Sequence, residues 1–290
     1  EAYARHGLDY YPKWLAAVPF SPLPGPRLLG RDDAHRRLLL DAVLAAAKSE
    51  GVPSLHLLFP TEDEAALMAE AGLMLRQGVQ FHWHNAGYRD FDDFLAHLNH
   101  DKRKKIRQER RRAREGLAFT WLDGHQATAE DWRFFYRCYA LTYAAHRSTP
   151  YLTPAFFPAL ARAMPEAVRL LRVDQDGRPL AAAFFLQGGG ALYGRYWGAA
   201  DYVPCLHFEV CYYAAIEYAI AQGLDRLEGG AQGEHKLARG LSPVRTWSAH
   251  WLREPAFADA VARYLERETG GIEAWLDELE ERSPFRQIGP

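Results

Sequence analysis

Glu234, His235 and Lys236 stand as a triplet, with Gly229, Gly230 and Gly233 before it and Arg239 and Gly240 after it. A carboxylate, an imidazole and an ammonium on one turn can supply a general base, a proton carrier and a stabiliser for a developing oxyanion. The glycines let backbone approach a ligand closely and admit positive φ. A second constellation runs from Arg195, Tyr196 and Trp197 to His207 and Glu209. There a strand gives way to a helix start, whose free N–H groups favour anions. Each constellation also has a plainer reading: a glycine-rich turn with surface charges, a capping or core histidine, a first-turn acid that offsets the helix dipole. By residue type His207, Glu209, Glu234 and His235 suit a metal, but their HxE and EH spacings match no zinc pattern, and no metal is expected.

The third feature is the run from Asp101 to Gly116, with nine Lys or Arg against three acids in a chain of net charge −2. On a helix Arg103, Arg107, Arg110 and Arg114 share one stripe. Arg103, Lys104 and Arg107 are the candidate phosphate grip, for a nucleotide, coenzyme A or transfer RNA. The alternative is a solvated helix face. The net charge gives the chain no global pull toward nucleic acid or an acidic membrane.

The elements that must position these groups follow from pattern and punctuation. Residues 34–51 read as a helix capped by Asp32 or Asp33 and ending at Gly51, LHLLF as a buried strand, and TEDEAALMAEAG as a helix with a capping box from Thr61 to Glu64. VQFHWHN alternates as a strand does. The basic run belongs to one long helix or two, from Phe91 to Gly116. A strand, a helix capped at Thr128, another helix, and three antiparallel strands turning at Asp176-Gly177 and Gly188-Gly189-Gly190 follow. HFEVCYYAAIEYAIAQGL is a helix, DRLEGGA a strand, PVRTWSAHWL the last strand, and residues 257–284 closing helices. The class is a mixed α/β (α+β) sheet protein. Cys138, Cys205 and Cys211 form no CxxC, so a reducing cytoplasm is the default, and no apolar run is long enough to span a membrane. The chain lacks an initiator Met; either it begins inside a longer gene product or its first domain is a reduced one.

LHFEVCYYAAIEYAIAQGL followed by EGGAQGEHKLARGLSPVRTWSAHW resembles the FemAB-like family of predicted N-acyltransferases, of the peptidoglycan biosynthesis or recognition type. AYARHGLDYYPKW, GPRLL and the DKRKKIRQERR helix extend the likeness over most of the chain. The resemblance implies tandem GNAT-like (acyl-CoA N-acyltransferase) domains: a partial one over 1–88, truncated at its N-terminus, and a second over 89–290 that opens with the basic helix. The open edge of such a half-sheet invites pairing with a partner chain, hence an oligomer. The resemblance also places Lys236 and Arg239 where a substrate phosphate or the transition-state charge is held. No Q/RxxGxG/A pyrophosphate loop is present, so coenzyme A is an open choice of donor.

The expectation is therefore an N-acyltransferase moving an acyl or aminoacyl group from a thioester or ester to an amine. Glu234 or His235 is the candidate base and Lys236 the oxyanion partner. Arg195, Tyr196, Trp197, His207, Glu209, Gly233 and Arg239 are the candidate substrate contacts. No cofactor is expected to be tightly bound; acyl-CoA or aminoacyl-tRNA is the co-substrate, and a small-molecule amine or cell-wall precursor the acceptor. The alternative is an inactive module of the same fold that binds a cell-wall precursor or RNA, the 102–114 face serving for tRNA.

Overall fold

The computed structural model describes residues 2–230 and 233–286; Ala231 and Gln232, inside the glycine-rich turn, fall outside the described residues. In chain order the elements are α1 (Ala2–Arg5), β1 (Trp14–Ala16), α2 (Asp33–Ser49), β2 (Ser54–Leu58), α3 (Glu62–Glu70), β3 (Met74–His84), α4 (Phe91–His97), α5 (His100–Arg114) and β4 (Leu117–Asp123). Then come α6 (Ala129–Ala145), α7 (Phe156–Ala163), β5 (Val168–Gln175), β6 (Arg178–Gly188), β7 (Ala191–Ala199), α8 (Leu206–Phe208), α9 (Ala214–Ala221), β8 (Arg226–Glu228), β9 (Ser242–Leu252) and α10 (Pro255–Glu281). A π-helical turn, Glu209–Tyr213, joins α8 to α9, and a 3-10 turn, Glu234–Arg239, leads toward β9.

Helix starts sit where side-chain oxygens can take the free backbone donors. Thr61 and Glu64 form a reciprocal capping box on α3, and Thr128 and Asp131 do the same on α6. The segment from Phe91 to Arg114 is two helices. Leu98 is extended at the end of α4, and the Asn99 side chain accepts from the Lys102 N–H to start α5.

The chain forms two compact units, Glu1–Gln80 with Pro243–Glu281, and Phe81–Ser242 with Arg282–Pro290. This differs from a single cut near residue 88, because the last strand and the closing helix return to the first unit. The reason is pairing: β9 lies antiparallel to β2, from Ser54 opposite Leu252 to Leu58 opposite Ser248. In this unit β1 runs parallel to β2, and α2 and α3 bury Leu40, Leu44 and Met68 against Leu55, Leu57 and Ala249. The closing segment is one helix, not several. Gly270 and Gly271 are exposed within α10, and its apolar stripe at Leu265, Leu276 and Leu279 is buried. Two helical glycines cost about 2 kcal/mol, a sum the stripe's burial exceeds.

In the second unit β4, β5, β6 and β7 form an antiparallel meander, β8 lies parallel beside β7, and the end of β3 is antiparallel to β8. Trp132, Phe135, Tyr139, Phe157 and Phe184 form an aromatic core between α6, α7 and the meander. At Gly198 a Cβ would lie 2.2 Å from the Cys138 carbonyl oxygen, so only glycine lets α6 sit this close to β7. The functional consequence lies at β7 and β8. Among the described residues they pair from Ala191 opposite Arg226 to Tyr193 opposite Glu228, after which β7 runs on to Ala199 paired on its other edge with β6. A bulge on β7 puts Arg195 between the pairings of Phe185 with Gly194 and Phe184 with Tyr196.

Candidate active site

Where β7 outruns β8 a cavity of about 130 Å³ opens, walled by Arg195, Trp197, His207, Cys211, Tyr212 and Gly229 among others. A larger cavity of about 520 Å³ lies between the end of α6 and the 199–208 segment, and it shares Trp197 and His207 with the first. The bulge aims Arg195 at the small cavity. Tyr196 also lines it while packing on the aromatic core, and burial pushes its phenol up to about 12.

His207 stacks obliquely on Trp197, with ring centroids 4.8 Å apart, and its ring lies 6.3 Å from that of His235. Burial, then the neighbouring His235, Arg239 and Lys236, hold His207 down to about 4. His235 is also lowered, by burial and by Arg239 and Lys236. Both imidazoles are therefore neutral at pH 7 and can accept protons. The His235 Nε2 meets the Tyr212 hydroxyl at 3.1 Å. Tyr212 comes from the π-helical turn, a local widening often found at functional sites. Nothing in the local sequence marks the Tyr212 hydroxyl for this contact.

The turn that carries His235 is set by glycine. Gly233 has φ 114°, and a Cβ there would lie 2.3 Å from the His235 ring. Lys236 is 2 % exposed, and its Nζ donates to the Gly230 carbonyl at 2.8 Å. Burial lowers its ammonium to about 8. Glu234 points elsewhere: it is exposed and pairs with Arg282 at 3.6 Å. Arg239 is buried over the Phe208 ring, 3.5 Å from its centroid, and donates to the His235 carbonyl at 2.6 Å. It fixes the turn from behind.

The arginine stripe meets this region from the outside. Glu209 is fully buried and accepts from Arg110 at 3.0 Å and Arg114 at 2.7 Å, and both arginines also reach Glu217. Glu109 on the same helix pairs with Arg239 at 3.2 Å and accepts from the Tyr213 hydroxyl. So α5 buttresses the two turns rather than lining their cavity, and Glu209 is an anchor rather than a substrate contact. The one acid in the middle of the basic run, Glu109, was the only local sign of this. Arg103, Lys104 and Arg107 line neither cavity. Lys104 and Arg107 are exposed, Arg103 is half-buried, and Arg107 pairs with Asp92 at 3.2 Å. His82 and Glu228, which the sequence reading passed over, face each other across β3 and β8 at 3.9 Å, both buried. Among the described residues no group of three or more His, Cys, Asp or Glu could hold a metal, and no helix is long and apolar enough to cross a membrane.

Among solved structures the fold is similar to L-PGS from Bacillus licheniformis, at 14 % identity over 81 % of this chain and 80 % of that one, with a TM-score of 0.58. It is similar to the C-terminal domain of a putative lysylphosphatidylglycerol synthetase from Agrobacterium fabrum, at 14 % identity over 81 % and 78 %, with a TM-score of 0.56. It is also similar to FemX, at 11 % identity over 85 % of each chain, with a TM-score of 0.55. At these identities the likeness is one of fold. No curated protein matches the chain. The profile of the FemAB-like family, described by peptidoglycan biosynthesis and recognition, matches residues 1–287, so the chain belongs to the FemAB-like family.

Proposed function

We propose that the chain is a transferase that moves an acyl or aminoacyl group from an ester or thioester donor to the amine of an acceptor. The observation that carries this reading is the meeting of two cavities at Trp197 and His207, with the neutral His235 imidazole and the buried Lys236 ammonium, which line neither cavity, beside His207. Family membership supports an acceptor from cell-wall synthesis, and the aminoacyl-lipid synthetase named among the structural neighbours supports an aminoacyl donor. The donor is a co-substrate, acyl-CoA or aminoacyl-tRNA, not a resident cofactor.

The chemistry follows from the positions. The amine nitrogen attacks the donor carbonyl; a C–N bond forms and the C–O or C–S bond breaks. The proton lost by the nitrogen goes to His207 or His235, neutral and able to take it, and is returned to the departing oxygen or sulfur. Tyr212 orients His235 for this exchange. Lys236 spends one of its N–H donors on Gly230 and keeps two for the oxyanion. Arg195, aimed by the bulge, grips the anionic part of the donor.

The test is a donor screen: purified chain, acyl-CoA esters or aminoacyl-tRNAs, and primary amines, read by mass spectrometry for a new amide. An amide that requires the protein and one donor class supports the reading. Saturable binding of cell-wall precursor or RNA without any amide favours the inactive module instead.

A further inference from the structure

The larger cavity has a chemistry of its own. Among the described residues that line it, Asp201 brings the one carboxyl side chain, and no Lys or Arg takes part. Its walls are otherwise largely apolar, with Leu141 and Ala145 from the last turns of α6, Leu206 from α8, and the rings of Trp197, Tyr202 and Phe208; Thr142, Cys205 and His207 add uncharged polar groups. A carboxylate or phosphate entering it would lose hydration, meet no cation and face Asp201. An ammonium group would meet a carboxylate and aromatic π faces, both of which attract it. The small cavity has the opposite sign, with Arg195 in its wall and Lys236 and Arg239 close enough to lower His207. The two cavities thus sort ligands by charge on either side of the shared His207.

From this charge sorting we infer that the 520 Å³ cavity is the acceptor site, and that it takes a primary amine carried on an aliphatic or aromatic stem, with no anionic group on the part that enters. The inference deepens the transferase reading above and rests on it for the word acceptor. The volume suits a ligand part of drug-like size. The stem lies along Leu141, Ala145 and Leu206. Asp201, exposed just past the end of β7, draws the ammonium in from solvent, and the nitrogen, after losing a proton to water, reaches His207 at the wall shared with the small cavity. An acceptor that is anionic elsewhere, as a cell-wall precursor is, enters by its amine-bearing arm alone.

Binding tests this without turnover. Hexylamine, hexanol and hexanoate share one stem and differ in charge, and ligand-observed NMR titration ranks them at fixed ionic strength. Hexylamine is expected to bind about five- to ten-fold more tightly than hexanol, with hexanoate weakest. Asp201→Asn is expected to erase the preference of amine over alcohol. Ala145→Trp, which fills the cavity from an exposed helix position, is expected to abolish saturable binding of both; Leu141→Trp, one turn away at 41 % exposure, repeats the test should the first variant fold poorly. Hexanoate binding as tightly as hexylamine, no saturable amine binding at all, or amine binding that survives both tryptophans in folded protein overturns the inference. Its failure is distinct from that of the transferase reading. Amide formation whose KM for amine is unmoved by Ala145→Trp removes the cavity and keeps the enzyme. Amine binding without any amide does the reverse.

Discussion

Each compact unit holds a pair of facing histidines, and the two pairs are built for different ends. In the first unit His56 and His250 lie opposite each other on β2 and β9, with Nδ1 atoms 2.8 Å apart. The outer nitrogens meet Ser54 and Ser248 Oγ, each at 2.9 Å. All four ring nitrogens are occupied, in a pattern that two neutral rings of opposite tautomer satisfy. In the second unit His207 and His235 are also neutral, but among the described residues the hydrogen bonding stops at Tyr212 to His235. Among the described residues His207 has no hydrogen-bond partner, and it lines two cavities. His250 and His207 are both held at about 4 by burial first. A low imidazole pKa therefore does not mark a catalytic site by itself; unoccupied nitrogens beside a cavity do.

This contrast can be broken in order of expected effect. Lys236→Ala should slow amide formation about 10²- to 10³-fold, the cost of one oxyanion donor, with its single-turnover rate as the readout. A wild-type rate in that variant would leave the second pair without its charge partner and reduce it to packing. Glu209→Gln tests whether α5 is a buttress. Loss of the buried charge beside Arg110 and Arg114 should cost about 1–3 kcal/mol in denaturant unfolding, because it removes one of the two carboxylates these arginines share while Glu217 stays in place. Unchanged stability with weakened substrate binding would return Glu209 to the acceptor side.

The pH dependence sharpens the comparison. A histidine lowered from 6.5 to about 4 is protonated first in the unfolded chain, so its contribution to stability is full above pH 6.5 and is lost as pH falls toward 4. For His250 that loss is on the order of 3 kcal/mol. The groups that face it are His56 and Arg76, with Lys13 acting on His56. His250→Asn should flatten the slope of stability against pH between 6.5 and 4. A slope unaltered by the substitution would mean that the first pair is not the closed unit its hydrogen bonds describe. At the small end, alanine at Arg103, Lys104 and Arg107 should change unfolding by about 0.5 kcal/mol or less at each position. A larger effect on amide formation with aminoacyl-tRNA than with a small ester, losing salt dependence, would give those side chains back a phosphate role.

Much of the frame is written locally. Thr61 with Glu64 and Thr128 with Asp131 announce their helices, and the glycines around Lys236 announce a special turn. The arginine stripe is visible as periodicity, yet its partners are not. Glu209 and Glu217 lie far along the chain, and only folding brings them to Arg110 and Arg114. For the same reason Glu209 reads as a ligand-facing acid in the sequence and is an anchor in the fold. The return of β9 to β2 is a long-range pairing without a local signature, so a simple cut near residue 88 was the natural reading. Tyr212 was hidden by register: the π-helical turn shifts which side chains of that helix share a face.

The most direct test of the account exchanges the two pairs. With a donor and amine that yield an amide, single-turnover rates are measured for a His207→Gln/His235→Gln double variant and for a His56→Gln/His250→Gln double variant, each shown to be folded. The account predicts that the first falls by about 10²- to 10⁴-fold while the second forms amide at close to the wild-type rate. A first variant as fast as wild type, or a loss confined to the second, would contradict it.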